Sequence, residues 1–250
     1  MSEPGSLVRS LSGRPAARNF HSYVITEVGL GIASGRFAVG TILPNDAEMM
    51  SLYGVSRTVL REALKTLEAK GLVEARAKVG TRVLSRSRWN LFDRQVLTWV
   101  HEAGPDLALL NAFIEMRENV ELQTAALAAE RRSAEQLRMM HYWVNQRTVC
   151  AQMVEPYALA EFEFHRMLCE ASQNPFLRAA SPLVEFGVVQ STKPRLTAEI
   201  TDFAIEKSAC YIALSDALSD RAEAAARSTM AQILAIDRRW ILESAASPSQ

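Results

Sequence analysis

Four side chains stand where a folded chain seldom leaves charge. Arg117 and Glu121 fall between the two edges of a wide apolar stripe. One edge is Leu109, Phe113, Met116, Val120 and Leu127; the other is Leu107, Leu110, Ile114, Ala125 and Ala128. A charge placed there must be paired or must face a wet cavity, because burying it alone costs several kcal/mol. Two readings follow. Either the two residues pair with each other as a structural bridge, or Arg117 waits for a ligand carboxylate, which a guanidinium holds with two parallel hydrogen bonds. Glu161 and His165 repeat the i, i+4 spacing beside inward-facing Tyr157, Ala160, Phe164 and Leu168. A carboxylate and an imidazole so placed can share a divalent metal, or they can satisfy each other with a hydrogen bond. His21, His101 and His141 do not lie on arcs that converge with them.

A third set is cationic. At about 100° per residue, Arg57, Thr58, Arg61 and Lys65 share one arc of a helix, and Leu60, Ala63 and Leu67 share the opposite one,. Ser56 before it is a good N-cap and Gly71 after it is placed to close it in the left-handed conformation. AEMMSLY with the Gly54-Val55 turn supplies a shorter preceding helix. LVEAR and TRVL read as two strands joined by Ala77-Lys78-Val79-Gly80, a small wing with a basic tip. An arginine pair on a helix is usually a solvated face. Here the short helix, Gly turn, Ser cap, Arg-Thr-x-x-Arg run and hairpin together spell a winged helix-turn-helix, whose recognition helix presents its N-terminal end to duplex DNA.

The elements that must position these groups divide the chain at a polar linker, Ser85 to Arg88. Residues 1–19 read as a flexible tail, 20–86 as the winged helix-turn-helix with a leading helix at Phe20 to Ser34, and 87–245 as a helical domain. Trp89, Leu91, Phe92, Val96, Leu97, Trp99 and Val100 form a short apolar helix that must pack on one domain or the other. Beyond Pro105 the pattern is helical throughout, at about 106–131, 133–150, 156–172, 175–192, 199–219 and 221–244, with breaks at Asn174-Pro175 and Pro194. That is a mainly α chain: a winged helix, then an all-α bundle of six to seven helices in which a cavity between helices is the usual ligand position.

Composition agrees. The net charge of zero hides 13 Lys and Arg against 7 Asp and Glu in residues 1–88, and 15 against 21 thereafter, so a basic DNA-binding third precedes an acidic remainder. An apolar share of 48% excludes a disordered chain,. The three cysteines, Cys150, Cys169 and Cys210, fit neither a disulfide framework nor a metal knuckle,. No membrane span or signal peptide is evident, so a cytoplasmic protein with no membrane partner is expected. No Gly-x-Ser-x-Gly elbow, phosphate loop or His-Glu-x-x-His occurs.

The run LPNDAEMMSLYGVSRTVLREALKTLEAKGLVEARAKVGTRV resembles the winged-helix signature of the GntR family of bacterial regulators. EMRENVELQTAALAAER, EFEFHRMLCEASQNPFL and DALSDRAEAAARSTM are similar to successive parts of the helical effector (FCD) domain of its FadR-type branch. The resemblance covers roughly residues 20–240. It implies a homodimer on a palindromic double-stranded operator, with Ser56, Arg57, Thr58 and Arg61 on the DNA, Gly80 at the wing tip beside Lys78, and a small-molecule effector in the bundle. A family arginine early in the preceding helix falls at Ala47 here. The branch's metal ligands, one Asp and three His, fall on Glu161, His165, Tyr211 and about Ile233. The resemblance therefore implies no required cofactor, at most a weakly held divalent metal on Glu161 and His165, and an effector site of Arg117, Glu161, His165 and Tyr211. RWNLFDRQVLTWV is most similar to repressors of sugar-acid catabolism of the galactonate type, which points to a sugar acid or other small carboxylate and to a repressor rather than an enzyme. The rivals are a regulator of another organic acid or metal-bound carboxylate, a helical enzyme using Glu161 and His165 with a DNA-docking domain, and an architectural DNA-binding protein without an effector.

Overall fold

Short capping signals set the helix ends in the computed structural model, which describes residues 5–9, 20–104, 106–192 and 197–246. In chain order the elements are α1 (Ser6–Arg9), α2 (Phe20–Ala33), α3 (Asp46–Tyr53), α4 (Arg57–Ala69), β1 (Val73–Arg76), β2 (Gly80–Val83), α5 (Arg94–Glu102), α6 (Leu107–Arg131), α7 (Ala134–Val149), α8 (Val154–Ala171), α9 (Pro175–Ala179), α10 (Ser181–Thr192), α11 (Thr197–Ser219) and α12 (Glu223–Ala246). By their contacts, residues Pro15–Gly104 make one compact unit, and Met1–Arg14 with Pro105–Gln250 make another.

The first unit is the winged helix. Asn45 and Glu48 bond each other's backbone N–H groups in a capping box that starts α3, and Gly54, at φ 63°, ends it,. Ser56 starts α4 and Gly71, at φ 78°, follows its last residues. The buried arc of α4, Leu60, Ala63 and Leu67, meets Val24, Val28 and Ile32 of α2. The strands pair antiparallel from Val73↔Val83 to Arg76↔Gly80, and Ile42 bridges to Arg82 beside them.

This unit runs past the Ser85–Arg88 linker. Arg86–Arg88 is a turn of 3₁₀ helix, and α5 begins only at Arg94 because Asp93 caps it by accepting from Gln95 and Val96 N–H. The continuous helix read from Trp89 onward is thus shorter than expected. Its apolar face packs on the winged helix: Trp89, Val96 and Trp99 are buried with α2 and α4. Gly29 makes this contact achievable, since a Cβ there would stand 2.6 Å from the Trp99 ring.

The second unit is the helical bundle. α12 lies along α6, α7 along α8, and α11 along α12. Alanines 125, 128 and 129 on α6 let its neighbours approach around Met140, Phe164, Leu168, Leu214 and Met230. The stretch expected as one helix at 175–192 is two, because Asn174 and Pro175 start α9 and the chain turns at Ala180 before α10. The break read at Pro194 lies outside the described residues. The tail read as flexible contains α1, whose Leu7 and Val8 are buried against this bundle; residues 1–4 and 10–19 lie outside the description. No helix among the described residues is long and apolar enough to cross a membrane.

Candidate nucleic-acid interface and effector site

The N-terminal end of α4 carries the first candidate site. The Ser56 hydroxyl accepts from Val59 N–H at 3.4 Å, while the Arg57 and Thr58 N–H groups precede any intrahelical acceptor. The positive end of a thirteen-residue helix therefore faces outward with Arg57, Thr58 and Arg61 exposed around it, a ready place for phosphate. Among the described residues neither arginine has an ion-pair partner, whereas Lys65 is held by Glu62 at 2.8 Å. At the wing tip Lys78 takes φ 63° and Gly80 φ 114°. A Cβ on Gly80 would come within 2.9 Å of Ile42 Cγ2 in a backbone conformation that favours glycine, and Lys78 beside it is exposed. Ala47 is exposed on α3 and brings no charge.

The second site is a chain of alternating charges inside the bundle. His165 Nδ1 of α8 lies 2.5 Å from Glu121 Oε2 of α6. Glu121 bonds Arg117 one turn earlier on the same helix. Arg117 Nη1 lies 2.8 Å from Asp237 Oδ2 of α12, and Lys207 Nζ of α11 donates to Asp237 Oδ1 at 2.5 Å. Lys207 also bonds Glu161 of α8, whose Oε2 accepts from Arg147 Nη2 of α7 at 3.2 Å. Arg147 donates to the Tyr157 hydroxyl at 2.5 Å. Tyr211 closes the circuit, with its hydroxyl 2.7 Å from His165 Nε2 and its ring 3.3 Å beneath the Arg147 guanidinium carbon. Every member is buried.

The electrostatics follow from these pairings. Burial works against charge on Glu121, but Arg117 and then His165 outweigh it and hold the carboxyl down at about 2,. Glu161 is likewise driven below the usual carboxylate range, against burial, by Lys207 and Arg147. Burial pushes the Tyr157 and Tyr211 hydroxyls well up, so both remain neutral. Arg117 Nη2 has no hydrogen-bond partner although Arg117 is 2% exposed. It has little freedom to seek one, for α10 presses on it at Gly187, where a Cβ would meet Arg117 Nε at 2.6 Å.

The structure therefore gathers Arg117, Glu161, His165 and Tyr211 into one network, and it contains the structural bridge of Arg117 with Glu121. The expected Glu161–His165 pair is replaced: each turns to a different partner. Arg147, Lys207, Asp237 and Tyr157 are further members that the sequence reading missed. Their signal was the same one that exposed Arg117, a charge within an apolar arc: Lys207 between Phe203 and Tyr211, Asp237 between Ile233 and Ile241, Arg147 after Met140 and Val144.

The donors do not fit a divalent metal. Both Glu161 oxygens are engaged by cationic side chains, and both His165 nitrogens by Glu121 and Tyr211. Among the described residues no three His, Cys, Asp or Glu side chains come together as a ligand set. The Lys207 ammonium takes the place on Glu161 that a cation would need.

Comparison with known proteins finds two known domains in this order. Residues 24–83 match the profile of bacterial regulatory proteins of the gntR family, and residues 112–235 match the FCD domain. The chain is 36% identical over 177 residues to the uncharacterized HTH-type transcriptional regulator YieP of Escherichia coli K12, covering 67% of this chain and 74% of that one. It is 32% identical over 158 residues to the galactonate operon transcriptional repressor of the same organism, covering 63% and 69%. With the transcriptional repressor NanR of Salmonella newport it shares 31% over 186 residues, 70% and 68% of the two chains. Among solved structures, Lar of Listeria monocytogenes superposes with a TM-score of 0.65 at 16% identity over 92% of this chain and 99% of that one, which speaks to the fold alone.

Proposed function

Because the chain belongs to the GntR family of bacterial regulatory proteins, with an FCD domain behind its winged helix, we propose that it represses a sugar-acid catabolic operon and leaves its operator when a small carboxylate enters the helical domain. It is a DNA-binding transcriptional regulator, and its relatives are regulators rather than enzymes. In the proposed mechanism a cytoplasmic homodimer holds a palindromic operator with two copies of α4. Ser56, Arg57, Thr58 and Arg61 contact bases and phosphates, and Lys78 and Gly80 bring the wing to the backbone. In the bundle, Arg117 binds the effector carboxylate, while Glu161, His165 and Tyr211 meet its hydroxyls.

One observation carries the effector assignment: a fully buried guanidinium, Arg117, holds an unpartnered Nη2 in a domain whose family reads small molecules. Burying a donor without a partner costs about 1–3 kcal/mol, and a carboxylate ligand removes that cost. The similarity to the galactonate operon repressor supports a polyhydroxylated acid. The test is thermal unfolding against aldonic and uronic acids, followed by operator titration with any acid that binds. A matching acid at a hundredfold excess over Kd raises stability by about 2.7 kcal/mol, weakens operator binding, and does neither in Arg117→Ala. A sugar acid that shifts Arg117→Ala as it shifts the natural protein would make Arg117 purely structural.

A further inference from the structure

Asp237 joins cations of two helices, neither of them its own. Oδ2 lies 2.8 Å from Arg117 Nη1 on α6, and Oδ1 accepts from Lys207 Nζ on α11 at 2.5 Å. We propose that Asp237 is a resident stand-in for the effector carboxylate, which takes Arg117 and Lys207 from it on binding. The proposal rests on the carboxylate-sensor reading and adds the residue that the ligand displaces.

Charge and space both favour an exchange over an addition. Three basic side chains, Arg117, Arg147 and Lys207, already face three carboxylates, Glu121, Glu161 and Asp237. No lysine or arginine of the cluster is left without a carboxylate for an incoming anion. The space beside the cluster, between Glu121, Thr124, His165, Leu168, Cys169, Val184 and Met230, is too narrow for a water molecule. An anion seated at Arg117 and Lys207 would therefore take the place of a resident carboxylate rather than add to the three.

Of the three carboxylates, Asp237 is the one whose departure carries a signal. Glu121 shares a helix with Arg117, so its exchange would rearrange only α6. Glu161 is clamped by Lys207 and by two nitrogens of Arg147. Asp237 Oδ2 and Glu121 Oε2 both lack an aligned hydrogen bond, but of the two only Asp237 stands on a helix other than that of Arg117. An aspartate side chain is also short. Turning or sliding of α12 withdraws it, and α12 is the helix packed most extensively on α6 and also on α11. Ligand exchange at Asp237 is thereby converted into movement of a helix.

The test uses acetate, the smallest carboxylate probe, at fixed pH and ionic strength. Asp237→Ala opens a space between two cations. Acetate should refill it and raise the melting temperature of the variant saturably; acetamide should do nothing, and the natural protein should not respond. In parallel, Asp237→Asn keeps the shape but removes the competing charge, so its affinity for D-galactonate should rise about tenfold or more. If Asp237→Ala takes up acetate while no form binds galactonate, the sugar-acid reading fails and the stand-in assignment holds. If the natural protein binds galactonate but Asp237→Ala ignores acetate, the assignment falls and the reading survives. Should Asp237→Ala be unfolded on its own, the folded fraction against acetate gives the same answer: a carboxylate-specific rise supports the proposal, and no rise overturns it.

Discussion

Glu121 would hold its proton in an apolar interior, and the side chains around it reverse that preference. Its ordinary value of 4.5 falls to about 2 because Arg117 and His165 overcome the effect of burial. A carboxyl whose pKa is lower in the folded protein binds protons more readily in the unfolded chain. Its contribution to stability is then complete above about 4.5 and lost as pH falls through about 2,. Glu161 moves in the same direction, under Lys207 and Arg147. The denaturant midpoint of the bundle should therefore be flat near neutrality and fall steeply between those two values. Glu121→Gln should flatten part of that descent while costing about 3–5 kcal/mol at pH 7, because Arg117 loses a buried partner. Curves for the two proteins that run parallel through the acid range would remove Glu121 from the network.

Helix α1 shows what packing adds to an element that local sequence does not favour. Four residues do not hold a helical turn in water; here Leu7 and Val8 are buried against α8 and α10, and Glu185 Oε1 accepts from Leu7 N–H at 2.7 Å. Leu7→Ala should lower the unfolding free energy of the bundle by about 2 kcal/mol or more. Deleting residues 1–9 should give a loss of similar size, since a short segment costs no more than its own docking. A denaturant midpoint unchanged in both would mean that α1 contributes nothing. This element was not legible beforehand, because its two apolar residues sit among Ser, Gly, Pro and Arg and their partners lie almost 180 residues away. By contrast α3, α4 and the wing could be read nearly to the residue, since Asn45, Ser56, Gly54, Gly71 and Gly80 set their ends by local chemistry alone. Arg117 was legible as a charge within the stripe of a 25-residue helix. Its bond to Asp237, 120 positions on, depends on which helices face each other, and periodicity within one helix carries no such information.

At the scale of the whole chain, a basic stretch whose Arg57 and Arg61 are exposed and, among the described residues, without ion-pair partners precedes an acidic one that buries a network of paired charges. Each compact unit has a core of its own: Trp99, Leu60 and Val28 in one, Phe164, Leu214 and Met230 in the other. A substitution on the exposed arc of α4 touches neither core, so DNA affinity and effector affinity should be separable by mutation. Arg61→Ala should abolish specific operator binding. In the residual non-specific binding, the slope of log K against log salt should lessen by about one for each phosphate contact removed per half-site. Its thermal unfolding, and its stabilisation by whichever acid binds the natural protein, should be unchanged, because Arg61 is exposed and without an ion-pair partner among the described residues. Arg117→Ala should show the reverse, with operator binding kept and the response to the acid lost. Fluorescence anisotropy with labelled operator over a salt series, paired with melting curves, reads both properties from the same samples. Should Arg61→Ala bind the operator with its original affinity and salt slope, the DNA-contacting surface is not the N-terminal end of α4. Should it lose both properties together, the two units do not act as separate modules, and the acid is sensed only through a structure that α4 helps to hold.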